Sequence, residues 1–402
     1  MNPASFFHAD RNEPVKLKLK RDRTRSIKQG YPWIYADCFT DLPVAPAGSR
    51  AIVKDRDGTL LAFGLYDPQS PLAVRVLAIE NERLDDQLIA TRLKQALDLR
   101  RALFKGQKTT GFRLLNGEGD GLPGLVCDIY GTHAVIRLDG AGPLGFWNLD
   151  TIAIWLKENA SVTAVFYKPR NDDKESGRVL LGELTGPVVE FQENGVRFKA
   201  DIVAGQKSGF FLDQRENRAR IGLLSGGLSV LNIFGYTGGF SVYAGLGGAT
   251  QVTTVDIAKP AIAAANENWA LNNLPPAQHN GVVADAFEFL AAARAEKKSW
   301  DLIVVDPPSF APAERHVEKA KESYQVLFSA ALSVTSDESI VALSSCSSHI
   351  SPAMFLEICE AAVSKARKRA TVLSISGQPE DHPFPLACTE LQYLKFVLLR
   401  VR

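Results

Sequence analysis

The chain has 402 residues, and its 46 lysines and arginines nearly balance its 45 aspartates and glutamates, which leaves a formal net charge of +1. This length predicts two or three domains, and the balanced charge means that affinity for a polyanion must come from a local basic patch. Hydrophobic residues make up 46% of the chain, enough for a large core, yet no stretch has the roughly 18 apolar residues of a membrane span.

The cysteines and the N-terminus exclude further classes. Five cysteines are scattered along the chain without paired spacing, which argues against a disulfide framework and against a zinc site. Residues 1–10 contain His8 and Asp10 and no apolar stretch, so they do not resemble a secretory signal. We therefore expect a cytoplasmic protein with no membrane partner and no metal.

A basic segment lies near the N-terminus. Lysines alternate with valine and leucine over residues 15–20, which is the period of a strand. One interpretation is an edge strand kept soluble by lysine, and the other is a row of phosphate contacts. The basic side chains concerned are Lys16, Lys18, Lys20, Arg21 and Arg23. Residues 51–63 predict a hairpin that turns at Asp57-Gly58, so a small β-rich domain is expected over residues 1–75.

The next segment predicts a central α+β domain over residues 76–200. Apolar spacing, early acids and late arginines predict a helix over residues 84–104, and a second helix is expected over 147–158. The run from Lys168 to Arg178 is dense in charge and predicts a surface loop. Strands are predicted over residues 124–130, 133–138, 162–167, 188–192 and 196–200, the last two joined at Asn194-Gly195.

From residue 201 to 402, short apolar strands alternate with helical stretches, which is typical of a doubly wound α/β domain. In such sheets ligands bind at the carboxyl ends of the strands. The seven predicted strands are residues 229–233, 251–255, 282–284, 302–305, 339–343, 371–375 and 392–399.

Three features at these strand ends favour a nucleoside cofactor. The first strand leads into the turn Phe234-Gly235-Tyr236-Thr237-Gly238-Gly239, which lacks the strict dinucleotide spacing but lets the backbone approach a ligand. Asp256 lies 21 residues beyond Gly235, a distance suited to ribose hydroxyls, although it could be a helix cap. Asp285 is a weaker candidate, because it could simply cap the next helix. S-adenosylmethionine, which has no phosphates, fits this looser turn and its two acids.

Two further motifs indicate the chemistry. In Asp306-Pro307-Pro308-Ser309-Phe310, two prolines fix the backbone around Asp306, which suits the edge of a planar base. Enzymes that methylate exocyclic amines share such a motif, so the target atom stays open on this motif alone. Cys346 lies 40 residues later within a run of serines, and a thiolate there could activate carbon 5 of cytosine by adding to carbon 6.

The other cysteines favour structural roles. Cys359 falls inside a helix predicted to start with Ser351 as N-cap and Pro352 at N1. Cys38 falls in the β-rich N-terminal segment, Cys127 in a predicted strand and Cys388 in a loop near the last predicted strand. The sequence does not identify a group that would lower the pKa of Cys346; His349 is a candidate, although a surface position at a helix start is the alternative.

Several segments together resemble the PUA-domain 23S ribosomal RNA methyltransferases of the 5-methylcytosine type, along nearly the whole chain. The segments that carry the resemblance are residues 30–35 (GYPWIY), 116–125 (NGEGDGLPGL) and 205–218 (GQKSGFFLDQRENR). The resemblance implies a PUA-like domain, a central domain and a Rossmann-like methyltransferase domain.

The resemblance also implies roles for individual residues. Gln214 and Arg215 would join the glycine turn, Asp256 and Asp285 in binding S-adenosylmethionine. Cys346 would be the nucleophile, with Asp306 holding the base and binding near the cofactor. Other RNA cytosine methyltransferases have a second cysteine beside the proline motif, and Ser309 stands there instead, so Ser309 is assigned no role. The family includes dimers, which makes a homodimer an open expectation.

The sequence thus favours an RNA cytosine-5 methyltransferase acting on ribosomal RNA, with Pro307, Pro308 and the basic N-terminal residues contacting the RNA. One rival is an amine methyltransferase acting on guanine or adenine without a thiol. The other is a noncatalytic RNA-binding protein, against which the intact glycine turn and Asp256 count.

Overall fold

The computed structural model describes residues 5–8, 13–170, 176–311 and 313–402. The chain forms two compact units. The first comprises Met1–Gln192, Ala200–Leu212 and Glu380–Thr389, and the second comprises Glu193–Lys199, Asp213–Pro379 and Glu390–Arg402. The division into three domains at residues 75 and 200 stays a prediction. Residues 1–4, 9 and 10 of the segment for which the sequence predicts no secretory signal lie outside the described residues.

The first unit begins with a five-stranded sheet in the order β1-β3-β4-β5-β2. Its strand β1 lies at the edge with Leu17 buried and Lys16 and Lys18 exposed, so the alternating pattern is confirmed. The turn at Asp57-Gly58 joins β3 to β4, as predicted. The elements are β1 (Val15–Lys18), α1 (Thr24–Lys28), β2 (Trp33–Ile34), β3 (Ser49–Lys54), β4 (Leu60–Tyr66) and β5 (Val74–Ile79).

A second five-stranded sheet, in the order β10-β9-β8-β7-β6, packs against two long helices. The Asp85 side chain caps the first of them by accepting from the backbone amide of Leu88, as the early acids predict. Both predicted helices and the first three predicted strands are confirmed. The elements are α2 (Asp86–Leu103), β6 (Gly111–Asn116), β7 (Leu125–Tyr130), β8 (His133–Leu138), α3 (Ala141–Phe146), α4 (Leu149–Asn159), β9 (Ala164–Tyr167) and β10 (Arg178–Leu181).

The predicted surface loop does not extend over the whole range from Lys168 to Arg178, because neither end residue belongs to it. Lys168 is buried, and its ammonium donates a hydrogen bond to the backbone carbonyl of Gly205. Arg178 already belongs to β10. A lysine can bury the aliphatic part of its side chain even within a charged segment that has no apolar period, and the sequence pattern does not reveal this. Residues 171–175 of this run lie outside the described residues.

Two strands, β11 (Val188–Glu193) and β12 (Val196–Asp201), form a two-stranded sheet. Asn194 and Gly195 between them have φ angles of 51° and 84°, the left-handed pair that a tight hairpin turn requires. The turn predicted from this dipeptide is therefore confirmed.

The second unit is built on a seven-stranded sheet in the order β15-β14-β13-β16-β17-β19-β18. All seven predicted strands are present, although β15 begins earlier than predicted, and the α/β class is confirmed. The elements are α5 (Arg215–Leu224), β13 (Ser229–Ile233), α6 (Gly239–Leu246), β14 (Gln251–Asp256), α7 (Lys259–Leu271), β15 (His279–Val283), α8 (Ala286–Ala295), β16 (Trp300–Val305), α9 (Val317–Leu332), β17 (Thr335–Ser345), α10 (Pro352–Lys365), β18 (Ala370–Ser376) and β19 (Lys395–Val401).

The direction of the strands fixes where a ligand can bind. Strands β13 to β17 run parallel to one another, whereas β19 runs antiparallel to both β17 and β18. The five parallel strands therefore end at one edge of the sheet. Among the described helices, none is long and apolar enough to cross a membrane.

Candidate active site

The predicted cofactor and catalytic residues of the second unit meet at this edge. The glycine turn follows β13, Asp256 ends β14, Asp285 follows β15, Asp306 follows β16 and Cys346 follows β17. The crevice at the carboxyl ends of parallel strands is where open α/β sheets bind ligands. The sheet topology thus brings together groups that are up to 112 residues apart in the chain.

The glycine turn has a strained backbone. Phe234 and Tyr236 have φ angles of 58° and 44°, a left-handed conformation that costs a non-glycine residue about 1 kcal/mol or more. Gly235 between them leaves no room for a side chain, because a Cβ would lie 2.4 Å from Cγ2 of Thr254. Strain of this kind persists where the surrounding structure holds it, often at ligand sites.

Asp256 holds the glycine turn in place. Its Oδ2 accepts a hydrogen bond from the backbone amide of Tyr236 and its Oδ1 accepts one from that of Ala258, both at 2.9 Å. Asp285 instead accepts from two backbone amides in the first turn of α8, at 2.8 and 3.2 Å. Helix capping, the alternative left open for Asp285, is therefore the contact that the structure shows, and its cofactor role stays a prediction.

Gln214 links the ends of two strands. Its Nε2 donates to Oδ1 of Asp306 at 3.0 Å and to Oγ of Ser344 at 3.1 Å. Its Oε1 accepts from the amide of Asn217 at 2.6 Å, and Asn217 in turn accepts from Ser376 at 2.7 Å. Gln214 is 2% exposed, so its amide orientation is set by this network rather than by solvent.

Arg215 is the next residue and begins α5. It too is only 2% exposed, and its Nε donates to Oε1 of Glu216 at 2.9 Å. A helix start with a neighbouring acid is ordinary capping chemistry, so the binding role of Arg215 stays a prediction.

Two polar atoms at the glycine turn allow a test of whether S-adenosylmethionine fits. Oδ1 of Asn232 and Oγ1 of Thr237 are buried and have no hydrogen-bond partner among the described residues. The amide of Asn232 is oriented because its Nδ2 donates to Ser241 at 2.9 Å. Buried polar atoms of this kind normally find a partner, and the amine and hydroxyl groups of the cofactor would supply one. The site therefore fits the cofactor.

Cys346 and the proline motif lie side by side. Oγ of Ser309, in the proline motif, is 3.0 Å from Oγ of Ser347, the residue after Cys346. The Tyr324 hydroxyl bridges the same segment, at 2.9 Å from both Ser345 and Ser347. Burial raises the pKa of Tyr324, so this hydroxyl stays neutral and fixes the segment that carries Cys346.

Cys346 differs from the other cysteines in its exposure. All five cysteines are thiols, and Cys346 is half-buried whereas the other four are buried. Burial raises the pKa of Cys359 to about 12 and raises that of Cys127 still further. These two thiols are poor nucleophiles because the thiolate is the reactive form. The structural role predicted for Cys359 is confirmed, as it packs in the core beneath the sheet.

Several residues of the site have no signal in the sequence. Asn217 and Ser344 act through Gln214, and nothing in their spacing marks them. Tyr324 lies on the apolar face of α9 and is typical of a core residue there. Lys395 opens the apolar strand β19, where lysine would normally face solvent, yet it is 3% exposed. His349 is exposed.

The predicted RNA-contacting residues of the first unit are exposed: Lys16, Lys18, Lys20, Arg21 and Arg23. Arg21 forms an exposed ion pair with Asp37 at 2.6 Å, and such pairs are weak. Of the prolines, Pro307 is buried and Pro308 exposed. No group of three or more metal-binding side chains occurs in the described part of the chain.

Comparison with known proteins connects this geometry to a family. Residues 148–359 match the family model described as S-adenosylmethionine-dependent methyltransferase, and residues 17–78 match that of a PUA-like domain. The chain is 39% identical to a ribosomal RNA large subunit methyltransferase of Deinococcus radiodurans, over 96% of this chain and 97% of that protein. It is 34% identical to ribosomal RNA large subunit methyltransferase I of Shewanella frigidimarina, over 96% and 99% of the two chains.

A solved structure shares the fold. A Streptococcus mutans protein described as a SAM-dependent methyltransferase superposes with a TM-score of 0.85 at 23% identity, over 96% of this chain and all of that one. A second such structure, with the same TM-score, is complexed with S-adenosylhomocysteine, the product left when S-adenosylmethionine gives up its methyl group.

Proposed function

Since the chain belongs to the family of S-adenosylmethionine-dependent methyltransferases, we propose that it methylates carbon 5 of a cytosine in 23S ribosomal RNA. The observation that carries the proposal is the contact between Ser309 and Ser347, which places the proline motif beside Cys346. An enzyme that methylates an exocyclic amine needs the proline motif but no neighbouring thiol, whereas attack at carbon 5 of cytosine needs both.

The choice of ribosomal RNA is supported by the names of the relatives, which are ribosomal RNA large subunit methyltransferases matching nearly the whole chain. The match of residues 17–78 to a PUA-like domain, with its exposed lysines, is consistent with a polyanionic partner. We expect the modification in the cytoplasm. The PUA-like part would recognise the sugar–phosphate backbone and the shape of the RNA rather than the RNA sequence.

The cofactor would be held at the edge of the seven-stranded sheet. Asn232 and Thr237 have buried acceptors suited to the cofactor's amine and hydroxyl groups, and Asp256 shapes the turn around it. Gln214, Arg215 and Asp285 complete the predicted set. When bound, S-adenosylmethionine supplies an electrophilic methyl group.

The side chains would act on the cytosine in a defined order. The thiolate of Cys346 adds to carbon 6, and the electrons of the carbon 5–carbon 6 double bond make carbon 5 nucleophilic. After carbon 5 gains the methyl group, a base takes the carbon 5 proton. The electrons of that carbon–hydrogen bond re-form the carbon 5–carbon 6 double bond as the carbon–sulfur bond breaks, which restores the thiolate and the ring. Asp306 and the prolines would hold the base edge during these steps, and the base must leave its helix stack to reach them.

The test is transfer of a labelled methyl group to unmodified 23S ribosomal RNA, with the product nucleoside identified by mass spectrometry. We expect 5-methylcytosine with the wild type, none with Cys346→Ala, and unchanged product with the matched control Cys359→Ala. A methylated purine, or activity that survives Cys346→Ala, would favour the amine methyltransferase. Absence of both cofactor binding and transfer would favour the noncatalytic protein.

A further inference from the structure

Lys395 is a buried cation beside Cys346. Its ammonium donates hydrogen bonds to the backbone carbonyl of Ser347 at 2.5 Å and to that of Tyr393 at 2.8 Å. The side chain is 3% exposed. A lysine is almost never buried to this extent unless its charge is compensated.

The sheet register explains the position of Lys395. Ser345, the last residue of β17, pairs with Lys395, the first residue of β19, in antiparallel register. Paired residues of neighbouring strands have their side chains on the same face of the sheet. Lys395 therefore lies at the point where the chain turns from Ser345 into Cys346 and Ser347.

The charge of Lys395 lacks an obvious counterion. Within the described residues, no carboxylate forms an ion pair with it, and the hydrogen bonds that it donates end on neutral carbonyls. Burial lowers the pKa of Lys395 to about 8, while attraction to the charge of Cys346 acts in the opposite direction. Another titratable group near Cys346 is the Tyr324 phenol, from α9, whose pKa is raised by burial. Cys346 is thus the group that can balance the ammonium.

We propose that Lys395 is a positioning residue that keeps Cys346 in its thiolate form. The Lys395 amine takes the thiol proton, so that the sulfur–hydrogen bond breaks, a nitrogen–hydrogen bond forms, and a thiolate–ammonium pair results. The carbonyls of Ser347 and Tyr393 hold the ammonium in place. This inference rests on the proposed function, in which Cys346 is the nucleophile.

The test measures how fast iodoacetamide alkylates Cys346 as a function of pH, with the Cys346 peptide quantified by mass spectrometry. A thiolate beside a cation should titrate below the usual pH of about 8.5. Replacing the cation in Lys395→Met should raise the midpoint by about 1–3 pH units, so that alkylation at pH 7 slows at least about tenfold. Lys395→Arg should restore most of the shift.

The matched control is Lys168→Met. Lys168 is likewise buried, also binds a backbone carbonyl, and has its pKa lowered to about 8 by burial. This control removes a comparable ammonium from the other unit, so it should leave the midpoint of Cys346 unchanged. A purely structural role for Lys395 would change the thermal stability but not the alkylation midpoint.

Each outcome decides the inference. A wild-type alkylation midpoint of Cys346 at or above about pH 8.5 would overturn the inference. An unchanged alkylation midpoint in folded Lys395→Met would also overturn it. If the variant does not fold, the wild-type pH profile alone decides. If the midpoint shifts as expected but ribosomal RNA yields no 5-methylcytosine, the thiolate–ammonium pair stands and the proposed function fails. If 5-methylcytosine forms but the midpoint is ordinary, the proposed function stands and the pair fails.

Discussion

The side-chain amide of Gln214 donates a hydrogen bond to the carboxylate of Asp306 at 3.0 Å, and the same nitrogen also reaches Ser344. This buried amide connects the end of β16, which carries the proline motif, to the end of β17, which carries Cys346. Gln214 therefore ties the carboxylate of Asp306 to the end of the strand that leads into Cys346, the proposed nucleophile.

Replacing this glutamine should separate the two strand ends. Gln214→Leu leaves the buried amide of Asn217 without its acceptor, so we expect unfolding free energy to fall by about 1–3 kcal/mol. Methyl transfer should fall at least tenfold. Thermal unfolding and initial rates measure both effects, and the exposed Gln107→Leu serves as the control. Full activity of a folded Gln214→Leu protein would show that the link has no catalytic role.

A methyl group at Gly235 should disrupt cofactor binding. Its Cβ would lie 2.4 Å from Thr254 and 3.0 Å from the Asn232 amide, and overpacking of this kind costs about 1–3 kcal/mol. Gly235→Ala should therefore weaken S-adenosylmethionine binding about tenfold or more, as measured by calorimetry. Gly186→Ala, where a Cβ would meet nothing within 4 Å, should bind normally. Equal affinities would mean that the turn does not hold the cofactor.

Acid should destabilise the second unit through His279. Its Nε2 lies 2.7 Å from the Thr254 hydroxyl, and burial lowers its pKa to about 4. Between the ordinary value of about 6.5 and this folded value, the unfolded chain binds a proton that the folded chain does not. The unfolding free energy contributed by His279 is therefore complete above pH 6.5 and falls as the pH drops towards 4, by up to about 1.4 kcal/mol per pH unit.

Denaturant unfolding at several pH values measures this slope. His279→Gln, which keeps a polar contact for Thr254, should reduce the slope of unfolding free energy against pH. The control His349→Gln, at an exposed position, should leave that slope unchanged. An identical slope in His279→Gln would assign the acid sensitivity to other groups.

The basic strand β1 should contribute salt-dependent RNA affinity. Each lost phosphate contact reduces the magnitude of the slope of log affinity against log salt by about 0.7–0.9, so the triple replacement of Lys16, Lys18 and Lys20 by alanine should lower that magnitude by about 2–3. Filter binding at several salt concentrations checks this, with Lys297→Ala/Lys298→Ala as the control. An unchanged slope would favour the alternative of a lysine-protected edge strand.

The sequence predicts the strands of the second unit well because each has a clear physical pattern. Residues 229–233 are predicted and found as β13, and the Ser351-Pro352 start of α10 is confirmed by a hydrogen bond from the Met354 amide to the Ser351 side chain. Such local signals depend only on neighbouring residues. In doubly wound sheets ligands bind at the carboxyl ends of the strands, which is why the candidate site could be placed at one sheet edge without the strand order.

The contacts within the site are harder to predict, because they join residues far apart in the chain. Gln214 reaches Ser344 across 130 positions, and the Lys395 ammonium reaches the Ser347 carbonyl across 48. Neither the burial of a lysine nor the orientation of a glutamine has a local pattern in the sequence, and Lys168 is likewise predicted to lie at the surface although it is buried. The group that could lower the pKa of Cys346 therefore becomes visible only in the folded chain.

The most direct test of the central claim is covalent trapping with RNA that contains 5-fluorocytidine. Fluorine replaces the proton that must leave carbon 5, so the carbon–sulfur bond cannot break after methyl transfer. With S-adenosylmethionine present, we predict a denaturation-resistant adduct between this RNA and the wild-type protein, mapped by mass spectrometry to Cys346 and absent from Cys346→Ala. Methylation of the unmodified RNA without any trapped adduct, or an adduct that persists in Cys346→Ala, would contradict attack by Cys346.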